Sequence, residues 1–256
     1  MIRIGWLPGY TMTPDVFSDV WAAMAGYDHV GIALPGQGAD ADTTDDLDAR
    51  ADAIAGHLVD AGIDVLVGLS YGSCLAIHAA LRQPLAVPQL VLAAPTLAGQ
   101  PEDPAARAKF LLLGALRAGG ADPAMLAEVW MADPPAIFSH LRHHPSAFDR
   151  VRANVATHSF AELATNAMAA SRGVTHDDAM LRRLSTPTLV LTGTEDMPVF
   201  ADNARRLAAH PTVRIETIAG AGHLPLLEEP TRCAGIIDRW LQAGADSASP
   251  RTADSC

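Results

Sequence analysis

The chain has 256 residues, of which 49% are hydrophobic, and it carries a formal net charge of −11 at pH 7. That length and apolar content allow one large domain with a substantial core, while the negative charge argues against nucleic acid or an anionic membrane surface as a partner. The first residues predict a strand instead of a positively charged leader, and no apolar stretch approaches the ~20 residues of a membrane span. We therefore expect a cytoplasmic protein without a membrane partner.

Strand and helix patterns alternate over most of the chain, which is typical of an α/β fold with a mostly parallel sheet and helices on both faces. Apolar runs predict strands at 2–7, 29–34, 65–69, 90–94, 188–192 and 213–218. Helical patterns lie at 15–24 (with Thr13 as N-cap), after an acidic loop at 40–48 and up to about 61, and at 73–80, 201–209 and 226–242. Residues 243–256 are small and polar and predict a flexible tail.

Between about residues 96 and 185 the alternation stops, and the segment contains only helical patterns punctuated by proline. Five helices are predicted there, at 104–117, 123–131, 135–141, 146–157 and 160–171. Because helices without a strand among them cannot extend the sheet, we predict a core formed by 1–95 and 186–242 and a helical insert at 96–185. Its large apolar side chains are candidates for a pocket lining, although core packing is the simpler interpretation of any one of them. These candidates are Phe110, Leu113, Trp130, Met131, Phe138 and Met168.

The most informative motif is GLSYG at residues 68–72, which follows one predicted strand and precedes a predicted helix. A strand, a sharp turn that carries a serine between glycines, and then a helix form the pattern of a nucleophile elbow. Glycines are needed because the serine backbone is strained and a Cβ at either flank would clash. Such a turn lifts the hydroxyl of Ser70 above the sheet, where a base can reach it.

The chain also offers a base and an acid for this serine. A serine hydroxyl is a poor nucleophile until a histidine accepts its proton, and the histidine needs an acid to fix its tautomer. His223 lies in a glycine-rich loop after the last predicted strand, and Glu195 and Asp196 follow the strand before it. Catalytic groups of parallel sheets lie beyond the carboxyl ends of the strands, where all these candidates fall. The local pattern alone leaves Glu195 and Asp196 in competition.

With these motifs, and with LPGY at 7–10, LPGQG at 34–38 and GHLP at 222–225, the chain resembles the α/β-hydrolase superfamily from residue 2 to about 240. It looks most similar to small cofactor-free esterases and lyases with helical lids, such as the carrier-protein methyl-ester esterases and the menaquinone-pathway synthase group. The resemblance implies an α/β-hydrolase fold, a helical lid over 96–185 and no cofactor. It also favours Asp196 over Glu195 as the acid.

The chain departs from this family at two places. The family usually has His-Gly after its first parallel strand, where this chain has Pro8-Gly9. Family members commonly begin with an antiparallel strand pair, which is missing here, so we expect a sheet of about six strands. In this family two backbone N–H groups stabilise the oxyanion. The resemblance implies that these are the N–H of Tyr71 and, by position in the first loop, the N–H of Tyr10, since Pro8 has no N–H.

A metal site is one interpretation of His140, His143 and His144, which lie within five residues. No carboxylate lies at helical spacing from them and a proline follows at once, so we favour a surface cluster on the insert and expect no metal. The three cysteines, Cys74, Cys233 and Cys256, show neither a disulfide framework nor metal-ligand spacing.

Together the patterns predict a serine hydrolase for a small, mainly apolar ester or thioester, because the insert is poor in lysine and arginine. A carbon–carbon bond hydrolase, or a lyase or cyclase with the same triad, stays an alternative, since fold and triad do not fix the reaction. A non-enzymatic ligand receptor is a third hypothesis, against which the intact Ser70, Asp196 and His223 argue. The resemblance admits a carrier protein as partner of the acyl substrate, but no residue supports one separately.

Overall fold

The computed structural model describes residues 1–35, 46–100, 104–132, 136–165 and 173–248. Within them the chain forms one six-stranded sheet with the strand order β2-β1-β3-β4-β5-β6. All five pairings are parallel, which confirms the predicted, mostly parallel sheet of about six strands. The strands are β1 (Arg3–Leu7), β2 (Asp28–Gly31), β3 (Val65–Leu69), β4 (Leu90–Ala93), β5 (Thr188–Gly193) and β6 (Val213–Ile218).

Helices connect the strands, and the described residues between β4 and β5 contain helices and no strand. We call residues 96–185 the insert. The helices are α1 (Ser18–Ala23), α2 (Leu47–Ala61), α3 (Tyr71–Arg82), α4 (Pro104–Ala118), α5 (Pro123–Ala132), α6 (Pro145–Val155), α7 (Glu162–Thr165), α8 (Asp178–Leu181), α9 (Pro198–Ala208), α10 (Pro225–Glu228) and α11 (Pro230–Ala248). Short 3-10 turns lie at Pro14–Phe17, Ala136–Phe138 and His140–His143.

The sheet is buried on both faces at its centre, as the apolar runs predict. Every residue of β3, β4 and β5 is buried, which is typical of central parallel strands covered by helices. The strand order reverses at β1, which pairs with β2 on one side and β3 on the other. Parallel sheets bind ligands at the carboxyl edge of such a reversal. Leu7 is in register with Gly68, so the loop after β1 begins beside the end of β3.

Some element boundaries differ from the predictions for local reasons. The helix predicted at 226–242 is broken before Pro230, whose ring and missing N–H cannot continue α10, and α11 then runs six residues past the predicted end. Thr13 makes no side-chain cap for the helix after it; its hydroxyl accepts a hydrogen bond from Asn154 of α6 instead, at 2.7 Å. Residues 36–38 of the second family motif lie outside the described residues, as does the end of the predicted tail. No helix in the described parts of the chain combines the length and apolar character needed to cross a membrane.

Candidate active site

Ser70 lies in the sharp turn between β3 and α3 with φ 52° and ψ −118°, a conformation that non-glycine residues rarely adopt. The flanking glycines are required by contact with backbone atoms. A Cβ on Gly68 would lie 2.7 Å from the carbonyl oxygen of Gly72, and a Cβ on Gly72 would lie 2.5 Å from that of Leu7. The close approach of β3, α3 and the loop after β1 therefore excludes any side chain at these two positions.

The structure joins Ser70, His223 and Asp196 in one chain of hydrogen bonds. The Ser70 hydroxyl lies 2.9 Å from Nε2 of His223, and Nδ1 of His223 lies 3.0 Å from Oδ1 of Asp196. The side chains of His223 and Asp196 are 2% and 0% exposed. With Nδ1–H donating to the carboxylate, Nε2 is free to accept the serine proton, which is the tautomer that a general base requires.

Asp196 and Glu195, the two competing acids, lie in different environments. Oδ1 of Asp196 also accepts a hydrogen bond from the backbone N–H of Met197 at 2.7 Å, which fixes the carboxylate toward His223. Glu195 is exposed, and its carboxylate accepts a hydrogen bond from Thr194. The choice of Asp196 over Glu195 agrees with this geometry.

Glu228 holds the backbone on both sides of His223. Its carboxylate accepts hydrogen bonds from the N–H of Gly222 at 2.5 Å and from the N–H of Leu224 at 3.1 Å. The side chain is fully buried, so its loss would leave the N–H groups of Gly222 and Leu224 without this acceptor. This support for His223 was not predicted, although Glu228 follows the GHLP motif by only a few residues.

The loop after β1 lies against the elbow, as the oxyanion prediction requires. A Cβ on Gly9 would lie 3.6 Å from the Cβ of Ser70, and Thr11 takes a positive φ of 65° where the loop turns back. Within the described residues, the backbone N–H groups of Tyr10 and Tyr71 have no hydrogen-bond acceptor. Their convergence on one point beside Ser70 stays a prediction.

The side chains of these two tyrosines anchor the loops that carry the N–H groups. The hydroxyl of Tyr10 donates to Oε1 of Glu162 in the insert at 2.9 Å, and burial, assisted by that carboxylate, raises its pKa well above the usual range. The hydroxyl of Tyr71 accepts a hydrogen bond from Nη1 of the buried Arg50 at 3.2 Å, and burial raises its pKa to about 12. Both hydroxyls are therefore neutral at ordinary pH.

Some of the predicted pocket residues pack near Tyr10 and others lie elsewhere. The rings of Phe110 and Trp130 contact Tyr10, with centroids 4.9 and 6.4 Å away, and Phe138 packs on Trp130. Leu113 is fully buried, and Met131 borders a separate cavity of about 350 Å³. Met168 lies outside the described residues.

A cavity of about 290 Å³ adjoins His223 and Asp196. None of the predicted pocket residues in the described part of the insert lines it. Its insert side comes from two short 3-10 turns, where the sequence predicts one helix at 135–141. The lining residues are Ala136, Ser139, His140, His143, Glu195, Asp196, Met197 and His223.

The histidine cluster of the insert has a carboxylate partner from the core, although no carboxylate lies at helical spacing from it in the sequence. Nδ1 of His140 lies 2.9 Å from Oε2 of Glu228. His144 adds a third side chain, and the donor atoms of the three all lie within 4.8 Å of one another. Helical spacing could not reveal this partner because Glu228 is 88 residues away from His140.

The two described cysteines are free and buried. Burial raises the pKa of Cys74 and of Cys233 to about 12, so both thiols are protonated and inert. Cys256 lies outside the described residues.

Comparisons with known proteins agree with this fold. A family model described as "Alpha/beta hydrolase family" matches residues 6–236. The polyketide synthase ThaQ of Burkholderia thailandensis is 32% identical over 267 residues, which span 94% of this chain but only 12% of that protein. Among solved structures, an esterase from Thermogutta terrifontis superimposes with a TM-score of 0.75 at 24% identity over 95% of this chain and 90% of that one. MenH from S. aureus superimposes with a TM-score of 0.77 at 18% identity over 94% of each chain.

Proposed function

Because the chain belongs to the alpha/beta hydrolase family, we propose that it is a serine hydrolase that cleaves a small, mainly apolar carboxylic ester or thioester. The observation that carries this proposal is the hydrogen-bonded sequence Ser70–His223–Asp196 at the carboxyl edge of the sheet. Three groups with these chemical roles, held by backbone contacts on three different loops, suit acyl transfer to a serine.

In the proposed first step, the hydroxyl oxygen of Ser70 attacks the carbonyl carbon while its proton passes to Nε2 of His223. Asp196 stabilises the imidazolium that forms and keeps it in orientation. His223 then gives the proton to the departing alcohol or thiol, which leaves an ester between the acyl group and Ser70. In the second step His223 accepts a proton from water as the water oxygen attacks the acyl carbon. The bond between that carbon and Oγ of Ser70 then breaks, and His223 returns the proton to Ser70 as the acid leaves.

The oxyanion of both steps needs donors that are in place before the reaction. The N–H of Tyr71 at the first position of α3 and the N–H of Tyr10 are the proposed pair, with the positive end of the α3 dipole behind them. The contacts between Gly72 and the loop after β1 support this role because they bring the two backbone segments together. Loss of one such donor typically lowers turnover about 10²–10³-fold.

The proposed substrate class follows from the side chains above the loop. The ring of Tyr10 packs against the rings of Phe110 and Trp130, so the insert covers the loop of this proposed oxyanion donor with apolar side chains. We therefore propose that the insert acts as a lid and that it receives an apolar acyl group. The similarity to a polyketide synthase is a reason to test acyl thioesters beside oxygen esters.

A covalent serine probe tests the nucleophile directly. A fluorophosphonate should label one residue, and mass spectrometry of the digested protein should find the label on Ser70. Ser70→Ala should abolish labelling, and His223→Gln should slow it by orders of magnitude because the hydroxyl loses its base. Label on another residue, or labelling that survives Ser70→Ala, would overturn the assignment.

Substrate screening in ¹⁸O-water tests the reaction type. Nitrophenyl esters and acyl thioesters of graded chain length should be cleaved, and the released acid should carry one water-derived oxygen. Turnover that places no ¹⁸O in the product would contradict hydrolysis.

A further inference from the structure

The insert and the loop of His223 meet at a cluster of metal-binding side chains outside the proposed reaction. His140 lies in the 3-10 turn of the insert, His144 follows that turn, and Glu228 ends α10 of the core. Their donor atoms lie within 4.8 Å of one another. We propose that His140, His144 and Glu228 form a binding site for a divalent transition-metal ion, with Zn²⁺ as the reference ion.

The donor set favours a transition metal over calcium or magnesium. Two imidazole nitrogens and one carboxylate oxygen are ligands that Zn²⁺, Co²⁺, Ni²⁺ and Cu²⁺ accept, whereas Ca²⁺ and Mg²⁺ prefer oxygen. Ligands at about 2.0–2.2 Å from a tetrahedral zinc lie ~3.4 Å apart, and Nδ1 of His140 already lies 2.9 Å from Oε2 of Glu228. Both histidines are half-buried, so small rotations of their rings can complete the geometry.

The carboxylate is held in place before any ion arrives. Glu228 is fully buried and accepts hydrogen bonds from the N–H groups of Gly222 and Leu224, which orient both of its oxygens. Such supporting hydrogen bonds are typical of metal-ligating carboxylates. A Cβ on Gly222 would overlap the side chain of His140, so the turn that carries the histidines is seated directly on this loop.

An ion can reach the cluster from two cavities. His140 borders the cavity of about 290 Å³ beside His223, and Glu228 and His144 border another of about 420 Å³. Arg150, which borders the second cavity, is paired with Asp19, so its charge is balanced by a carboxylate outside the cluster.

Binding requires His140 to present Nδ1 as an acceptor, and Nδ1 now lies 2.9 Å from Oε2 of Glu228. A neutral imidazole presents Nδ1 when its hydrogen lies on Nε2, so the tautomer with Nε2–H is the one that can bind the ion. Because the site joins the insert to the core, an ion that binds only the folded protein also raises its thermal stability.

Calorimetric titration of the intact chain with ZnCl₂ tests the site without any assay of activity. Protein without a histidine tag, freed of metal by a chelator, should bind one ion per chain at neutral pH. Saturating Zn²⁺ should raise Tm by about 5 °C or more. His144→Ala should weaken binding at least about tenfold, since it removes one of three ligands.

The control is His57→Ala, because His57 is an exposed histidine on α2, and it should bind Zn²⁺ like the unchanged chain. Glu228→Gln keeps the size of the side chain and should also abolish binding, with circular dichroism to verify that the variant folds. A chain that shows no saturable binding, or a His144→Ala variant that binds as tightly as the unchanged chain, would overturn the proposal.

Discussion

The hydroxyl of Tyr10, in the loop after β1, donates a hydrogen bond to Oε1 of Glu162, 152 residues later in the insert. Both side chains are buried, and the ring of Tyr10 also contacts Phe110 of α4. The loop proposed to stabilise the oxyanion is thus fastened to the insert by a buried polar bond. A movement of the insert would therefore displace the backbone N–H of Tyr10.

Replacing Tyr10 by phenylalanine removes this hydrogen bond and leaves the backbone N–H in place. We expect Tyr10→Phe to lower the free energy of unfolding by about 1–3 kcal/mol, because a buried acceptor loses a donor. Tyr27→Phe is the matched control, since Tyr27 donates to Asp238 in a site that is partly open to water, and it should cost less. Urea denaturation measures the free energy of unfolding of both variants. Equal losses would contradict a larger contribution from the buried hydrogen bond of Tyr10.

The acid of the proposed triad can be identified by a pair of neutral replacements. Asp196→Asn should lower turnover by about 10⁴-fold, as when a triad aspartate loses the charge that orients its histidine. Glu195→Gln should have little effect, because Glu195 is exposed and bonded to Thr194. Steady-state kinetics on an ester found by screening makes the comparison, and a larger loss at Glu195 would reverse the assignment.

Two glycine-to-alanine changes should have opposite effects on the stability of the protein. Gly72→Ala places a methyl group against the carbonyl oxygens of Leu7 and Pro8, which are backbone atoms that cannot yield cheaply. We expect it to abolish serine labelling and to lower the melting temperature. Gly56→Ala, within α2, meets nothing within 4 Å and should stabilise the protein by about 0.5–1 kcal/mol. A tolerated Gly72→Ala would show that the elbow can relax.

The elements that the sequence revealed are those whose causes are local. The buried strand β3, the glycines around Ser70 and the loops of Asp196 and His223 each leave a pattern within a few residues, so they were predicted close to their observed positions. Helix ends were harder, because proline at 230 divides a continuous amphipathic pattern into two helices.

What could not be predicted are contacts between distant parts of the chain. The bonds of His140 to Glu228 and of Tyr10 to Glu162 depend on how the insert is seated on the core. The periodicity within the insert does not determine how the insert is oriented on the core. For this reason the large apolar residues proposed from the sequence are not the ones that line the cavity beside His223.

A buried pair of histidines, His78 of α3 and His176 of the insert, leads to a prediction about stability in acid. Nδ1 of His176 accepts the backbone N–H of Ala98 at 3.1 Å, so its Nε2 carries the hydrogen and donates to Nδ1 of His78 at 3.1 Å. The other nitrogen of His78 lies 2.6 Å from Oδ1 of Asp48. His176 is fully buried, and burial lowers its pKa from 6.5 to about 3.

The sign of the effect follows from where the proton binds. Between pH 6.5 and about 3, the unfolded chain protonates His176 while the folded chain keeps it neutral. Its contribution to stability is therefore complete above pH 6.5 and is lost as the pH falls, with a slope of up to about 1.4 kcal/mol per pH unit. His176→Gln can keep a donor and an acceptor but does not titrate, so it should flatten the decline of unfolding free energy between pH 6.5 and 4. His57→Gln, at an exposed position, should leave that decline unchanged; an identical slope in His176→Gln would mean that other groups cause the loss of stability in acid.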